Sequence, residues 1–142
     1  MDWVYDDGGR AGAGYKGNTR DCVCRAIAIA TGIDYQTVYD SLNEVATRER
    51  RGKRKRGVSN SRMGVYKYTT RKYLESIGWR FTPTMAIGTG CKVHLRENEL
   101  PGGKIIVSVS KHLVAVIDGV IHDTHNPDRG GQRCVYGYWR KL

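Results

Sequence analysis

The sequence lacks any long apolar run. No stretch approaches the roughly 20 consecutive apolar residues that a membrane helix requires, and the mean hydropathy is −0.54. The N-terminal residues Met-Asp-Trp-Val-Tyr-Asp-Asp-Gly-Gly contain neither a basic region nor an apolar segment, so they do not predict a signal peptide. We therefore expect a cytoplasmic protein without membrane contact. Its 142 residues predict a single domain, 1–142, around one modest core.

Cysteine is sparse and its spacing does not favour a metal site. The four cysteines are Cys22, Cys24, Cys91 and Cys134, and the sequence contains no Cys-x-x-Cys. On a helix, Cys22 and Cys24 would project about 200° apart, which makes them a poor chelating pair. In a cytosolic chain such cysteines are expected to be free thiols. We expect neither a metal nor a cofactor.

Acidic residues are scarce beside basic ones. The chain has 14 Asp and Glu against 24 Lys and Arg, a formal net charge of +10. The excess is concentrated in one basic block, which consists of Arg48, Arg50, Arg51, Lys53, Arg54, Lys55 and Arg56. Such a block repels itself, so we expect a mobile, exposed loop at about 48–64. It would suit nucleic acid or another acidic partner, or it serves solubility alone.

The order of predicted elements indicates an α+β fold. Helical periodicity and capping signals predict helices over 21–31, 35–48 and 69–77, with Asp21 and Asp34 as N-caps of the first two. The first is apolar nearly all round, which is typical of a buried central helix. A period of two then predicts strands over 79–83, 104–109, 113–117, 120–124 and 134–139. We expect an antiparallel sheet covered by the first helix.

The last hairpin brings a histidine and a carboxylate together. Asp118-Gly119 between two apolar runs predicts a two-residue hairpin loop. In that register Val114 pairs with Asp123, and His112 lies diagonally across from Asp123 on the same face. Since that face also carries Val116 and Ile121, we expect it to be buried.

Cys22 begins the apolar helix and completes a candidate catalytic triad. A helix N-terminus lowers the pKa of a thiol, a histidine accepts and returns its proton, and a carboxylate orients the histidine. Each residue alone has a structural explanation, because buried cysteines pack as small hydrophobes and strand histidines form ordinary hydrogen bonds. The coincidence of all three roles favours catalysis by Cys22, His112 and Asp123.

Other residues remain open for each role. Cys24 is the rival nucleophile, although it lies further from the free N–H groups of the helix N-terminus. His125 shares the face of His112, whereas His122 alternates to the opposite face and is a poor base. Asn126 is the fallback for the third position, because an amide also orients an imidazole.

These motifs resemble two groups of papain-like cysteine peptidases. Asp21-Cys22 before an apolar helix is similar to the Asp-Cys of the bacteriocin-leader peptidases of ABC exporters and of NlpC-type peptidases. The Leu-Pro-Gly-Gly of 100–103 and the hairpin of 112–121 are similar to their Pro-x-Gly and His-hairpin motifs, and 123–130 to the Asp-Pro-x-x-Gly of the leader peptidases. The Asp-Cys-Val-x-Arg-Ala of 21–26 also resembles the same motif in small phage-encoded proteins. The resemblance implies a papain-like fold with the nucleophile on the first buried helix.

The chain departs from the families that it resembles at two positions. Val23 follows the cysteine, where those families have glycine or serine. Lys16 stands where the leader peptidases have a glutamine that binds the oxyanion, and Asn18 is the nearest amide that could replace it. Otherwise the backbone N–H of Cys22 would have to stabilise the oxyanion.

Two classes of function therefore remain. The first is a cysteine hydrolase acting on a polypeptide, an isopeptide or a peptidoglycan stem peptide, with a cytosolic protein substrate slightly favoured. The second is a non-catalytic papain-like module that binds nucleic acid or another acidic partner through its basic block. In that interpretation Tyr66, Tyr68 and Tyr73 would stack on bases.

Overall fold

The computed structural model describes residues 1–17, 19–49 and 58–142. Asn18 and the part of the basic block from Arg50 to Arg56 lie outside the described residues. The helices are α1 (Cys22–Thr31), α2 (Tyr35–Ala46) and α3 (Lys67–Ser76), and the strands are β1 (Trp3–Tyr5), β2 (Trp79–Pro83), β3 (Lys104–Val109), β4 (His112–Ile117), β5 (Val120–Asp123) and β6 (Val135–Lys141). No helix in these ranges is both long and apolar enough to cross a membrane.

The six strands form one mixed sheet in the order β1-β5-β4-β3-β6-β2. The α+β class is therefore confirmed. The expectation of a wholly antiparallel sheet is wrong, because the edge strand β1 runs parallel to β5, with Val4 opposite His122. All three residues of β1 are exposed, so they carry no alternation of apolar and polar residues that could predict a strand.

The helix boundaries and caps follow the local signals with three exceptions. Gly32 ends α1 in the left-handed conformation, at φ 75°, and the Asp34 carboxylate caps α2 by accepting from the Thr37 N–H at 3.3 Å. The helix α2 ends at Ala46 rather than at Arg48, and α3 begins at Lys67, before the predicted threonine caps. The side chain of Asp21 does not cap α1, since its carboxylate has other partners.

The hairpin between β4 and β5 has the predicted register. Val116 faces Ile121 and Ile117 faces Val120. Asp118 and Gly119 both have positive φ, at 49° and 80°, as a type I′ turn requires. Because the loop has two residues, His112 at the start of β4 and Asp123 at the end of β5 lie at the same end of the sheet.

Both faces of the sheet are buried. The helices pack on one face against Ile106, Leu113, Ala115 and Trp139. The face with Val114, Val116 and Ile121 is buried as predicted, but it packs with Leu95 and its neighbours rather than with α1. The sheet is therefore enclosed by the helices on one side and by the segment around 93–100 on the other.

The expectation of four free thiols is wrong for Cys91 and Cys134, which form a disulfide with a Cα–Cα distance of 5.8 Å. The segment before β3 returns alongside the start of β6, where the Val135 N–H donates to the Val93 carbonyl at 2.8 Å. This return brings the two cysteines together across 43 positions. No short spacing in the sequence could have indicated the pair.

Candidate active site

Cys22 is the first residue of α1, as the sequence predicts. It is half-buried, and its thiol interacts with the His112 side chain and the Leu113 backbone at the start of β4. As a residue of the first helical turn, Cys22 has a backbone N–H without an intrahelical acceptor. A half-buried thiol with an imidazole beside it and a free backbone donor at its own residue is suited to attack a carbonyl carbon.

His112 and Asp123 are in direct contact. The His112 Nε2 lies 2.6 Å from the Asp123 Oδ2, and Asp123 is only 3% exposed. Because Nε2 contacts the carboxylate, Nδ1 is the ring nitrogen that can exchange a proton with the sulfur of Cys22. The structure thus brings the three predicted residues together in the order thiol, imidazole, carboxylate.

The electrostatics of the trio favour a charge-separated pair. Burial acts to raise the pKa of Cys22, but the hydrogen bond and positive charge of His112 outweigh it, and the thiol pKa lies below its usual value. Burial acts in the opposite direction on His112, yet the hydrogen bonds to Asp123 and Cys22 raise its pKa to about 9. Both directions favour the proton on the imidazole and the thiolate form of the sulfur.

Sequence reasoning missed Arg25, which connects the triad to a second buried carboxylate. Its guanidinium donates to the Asp123 Oδ1 at 3.2 Å and to Asp21, and Arg25 is 7% exposed. Burial acts to raise the pKa of Asp123, but the hydrogen bond from His112 and the charges of His112 and Arg25 lower it overall. Asp123 is therefore held as a carboxylate that faces two cations.

Asp21 is the second buried carboxylate that Arg25 contacts, and it has several further hydrogen-bond partners. Its carboxylate accepts from the Tyr35 hydroxyl at 2.6 Å, from the Thr19 hydroxyl at 2.8 Å and from Arg10 at 3.2 Å, in addition to Arg25. These partners explain why Asp21 does not cap α1. The signal that could have revealed the network is Arg25 itself, a lone cation in an otherwise apolar helix, four positions after Asp21.

Cys24, the rival nucleophile, is placed in the core. It is 0% exposed, and its thiol points to the Tyr35 carbonyl oxygen at 3.8 Å. Burial, reinforced by the charge of Asp21, raises the pKa of Cys24 to about 12. A thiol that stays protonated and has no access to solvent is a poor nucleophile.

The alternative polar residues lie at the margin of the site or outside it. His122 points away from the triad, with its Nδ1 3.7 Å from Asp6. The exposed His125 has its Nδ1 4.0 Å from the Asp123 Oδ1, and its ring centroid lies 5.1 Å from that of His112. Asn126 accepts from the Asp128 backbone N–H at 3.1 Å, which uses its amide oxygen within its own turn.

The donor set beside the triad could in principle bind a metal. Ligand atoms of His112, Asp123 and His125 lie within 4.8 Å of one another. However, both Asp123 oxygens are already engaged, one by His112 and the other by Arg25. The buried guanidinium also repels a cation at this position, so these residues are better suited to hold a proton than a metal ion.

Two cavities meet at Cys22. The larger, of about 600 Å³, extends between α3 and the sheet and is lined by apolar and aromatic side chains that include Val65, Phe81, Leu113 and Trp139. The smaller, of about 470 Å³, is lined mainly by polar and basic residues, among them Thr19, Thr124 and His125. Arg20, Cys22, Lys111 and His112 line both cavities, so Cys22 and His112 are accessible from either side.

The residues of the nucleic-acid interpretation are dispersed. Tyr73 is 6% exposed and belongs to the core, so it cannot stack on a base. Tyr66 and Tyr68 are 42% and 62% exposed, and Tyr68 lines the larger cavity. The basic block is described only at Arg48, so its relation to these side chains lies outside the described residues.

Comparison of the chain with known protein families, with curated proteins and with solved structures finds no match.

Proposed function

We propose that this chain is a papain-like cysteine hydrolase that cleaves amide bonds of a polypeptide. The observation that carries the proposal is the contact chain from the Cys22 thiol through His112 to the buried Asp123. Its support is threefold: Cys22 begins a helix, the pKa shifts of Cys22 and His112 favour a thiolate–imidazolium pair, and two cavities open at the sulfur.

In the first half of the proposed reaction, the Cys22 thiolate attacks the carbonyl carbon of the substrate and forms a C–S bond. The carbonyl electron pair moves to oxygen, where the backbone N–H of Cys22 stabilises the negative charge. When the tetrahedral intermediate collapses, the C–N bond breaks and the His112 imidazolium donates its proton to the leaving amine. The products of this half are a free amine and a thioester on Cys22.

In the second half, neutral His112 takes a proton from a water molecule as the water oxygen attacks the thioester carbon. The C–S bond then breaks, the acid product leaves, and the thiolate and imidazolium are restored. Asp123 does not accept the proton. It holds the ring through the 2.6 Å contact at Nε2 and stabilises the imidazolium electrostatically.

The first test is selective alkylation of the parent protein, of two variants that each lack one cysteine, and of a variant that lacks His112. At neutral pH we expect iodoacetamide to modify Cys22 much faster than it modifies glutathione, as mapped by mass spectrometry of tryptic peptides. Cys22→Ala should abolish this fast labelling, whereas the matched control Cys24→Ala should retain it, because Cys24 is buried and protonated. His112→Ala should slow the labelling strongly, since the thiol loses its proton acceptor.

Fast labelling that survives Cys22→Ala and disappears in Cys24→Ala would move the nucleophile and overturn the proposal. Absence of any fast labelling, together with tight binding of the protein to an oligonucleotide, would favour the alternative of a non-catalytic module. The observation that favours a nucleic-acid-binding module is the net charge of +10.

A further inference from the structure

We infer that the substrate of the Cys22 site is an acidic polypeptide segment, with an acidic residue on one side of the scissile bond and an apolar residue on the other. The inference rests on the proposed function and adds the chemistry of the substrate. It follows from the contrast between the two cavities that meet at Cys22 and from the charges at their junction.

The larger cavity fits an apolar side chain. Val65, Phe81, Leu113 and Trp139 are among its lining residues, and burying an apolar side chain against such a surface removes it favourably from water. It is also lined by four cations, Arg20, Lys67, Arg71 and Lys111, two of which face aromatic rings. The Lys67 ammonium lies 5.4 Å from the Tyr136 ring centroid, and the Arg71 guanidinium lies 5.4 Å from that of Trp139.

The smaller cavity fits an anion. Among the described residues it is lined by four cations and by no carboxylate: Arg10, Arg20, Arg25 and Lys111. Arg10 and Arg25 already donate to Asp21. Because Asp21 and Asp123 are buried while Arg20 and Lys111 are exposed, the surface of this cavity has a positive potential that attracts a negative substrate group.

Arg20 and Lys111 are the cations with capacity for a ligand. Both are exposed, and neither side chain has a hydrogen bond or ion pair with another residue in the described ranges; only the backbone N–H of Arg20 is engaged, by the Arg62 carbonyl at 2.8 Å. Both line the two cavities together with Cys22 and His112. A carboxylate adjacent to the scissile bond would therefore meet two unpaired cations beside the nucleophile.

A polypeptide fits these features better than a nucleic acid does. A thiolate in contact with an imidazolium attacks an acyl carbon, and a phosphodiester has none. The carboxylates of aspartate and glutamate lie only one or two bonds from the Cβ. Such short side chains keep the negative charge close to the scissile bond, where Arg20 and Lys111 lie beside Cys22.

The decisive experiment compares two alkylating reagents of nearly equal size on the intact protein. Iodoacetate is an anion and iodoacetamide is neutral, and both react with the thiolate. The ratio of their rates at Cys22, divided by the same ratio for glutathione, reports anion preference, because the thiolate fraction cancels. We expect a normalised ratio of at least roughly five, the factor that one cation about 4 Å away contributes in water.

The variant Arg20→Gln with Lys111→Gln should lower the normalised ratio toward one. The matched control is Arg140→Gln with Lys141→Gln, which removes the same charge from exposed residues outside both cavities and should keep the parent ratio. Raised salt should also lower the parent ratio, because the attraction is screened. A parent ratio of one, or equal losses in both double variants, would overturn the inference.

A second probe tests the apolar side. N-hexyl iodoacetamide should alkylate Cys22 several-fold faster than iodoacetamide, after the same normalisation to glutathione, because its alkyl chain can enter the larger cavity. Met63→Ser with Tyr68→Ser should reduce this gain, since both exposed side chains line that cavity. Ile87→Ser, a fully exposed position outside both cavities, is the control, and an equal loss there would contradict the assignment.

The hydrolase function and the substrate preference are tested by different outcomes. If iodoacetamide itself does not react rapidly at Cys22, the proposed hydrolase function fails. If it does react but the charged and alkyl probes show no preference, the hydrolase remains and only the acidic, apolar substrate is wrong. A short oligonucleotide that protects Cys22 while an acidic peptide does not would also overturn the inference and assign the cations to nucleic acid.

Discussion

Arg25 is the residue on which two buried carboxylates converge. It donates to Asp123 of the triad and to Asp21 at the start of α1, so one side chain joins the nucleophile helix to the hairpin that carries His112. A guanidinium suits this position because its planar fork can donate to both carboxylates at the same time. The same contacts keep Asp123 ionised and directed at His112.

We predict that Arg25→Met lowers the free energy of unfolding by about 3–5 kcal/mol, because two buried carboxylates lose their shared cation. Urea denaturation measures this loss. Arg10→Met is the matched control: Arg10 also donates to Asp21, at 3.2 Å, but it is more exposed, and its loss should cost about 1 kcal/mol or less. Equal costs for the two variants would show that Arg25 has no special structural role.

The site residues differ in how far the sequence could predict them. Cys22, His112 and Asp123 follow from local signals, namely a helix start and the register of a two-residue hairpin. The spacing of Arg25 four positions after Asp21 is a local signal for that pair, but nothing local connects Arg25 to Asp123, which is 98 positions away. The sequence predicts Asp21 as a helix cap, whereas its partners Thr19, Arg10 and Tyr35 lie in neighbouring elements.

At the scale of elements, the disulfide ties the segment between β2 and β3 to the start of β6. Cys134 packs 3.6 Å from the sulfur of Met85, and Met85 lines the larger cavity. The Cys91–Cys134 bond therefore holds one wall of that cavity against the sheet. It lies apart from the triad, whose contacts involve α1, β4 and β5.

We predict that only two cysteines, Cys22 and Cys24, are alkylated in the denatured protein before reduction, and four after it. Reduction should lower the free energy of unfolding by about 2–4 kcal/mol, because a loop of 43 positions is released. Cys91→Ser with Cys134→Ser should show the same lowered stability and no further response to reductant. Alkylation of four cysteines before reduction would show that the bond is not present.

Elements with strong local signals were predicted well, and those that depend on distant partners were not. The hairpin loop at Asp118 and Gly119 and the N-cap Asp34 are determined by neighbouring residues. In contrast, β1 exists because Trp3–Tyr5 pairs with β5 at the far end of the chain. The second buried face of the sheet likewise depends on Leu95 and its neighbours, which lie in a segment without periodicity.

At the scale of the whole molecule, the site exists only because the sheet assembles. Cys22 and His112 come from separate parts of the chain, and neither α1 nor the hairpin contains a complete site. Two of the molecule's many cations, Arg20 and Lys111, lie at this junction with Cys22. The proposed activation of the thiol depends on these folded contacts and should disappear on unfolding.

The pH dependence of Cys22 alkylation tests the central claim, the thiolate–imidazolium pair, most directly. Since His112 lowers the pKa of Cys22, the iodoacetamide rate should reach its plateau at a lower pH than the ordinary cysteine pKa of about 8.5 would give. In His112→Ala the hydrogen bond and charge of His112 no longer oppose burial, so the rise of the rate should move to higher pH. A parent profile that follows that ordinary titration, and is unchanged by His112→Ala, would contradict the account.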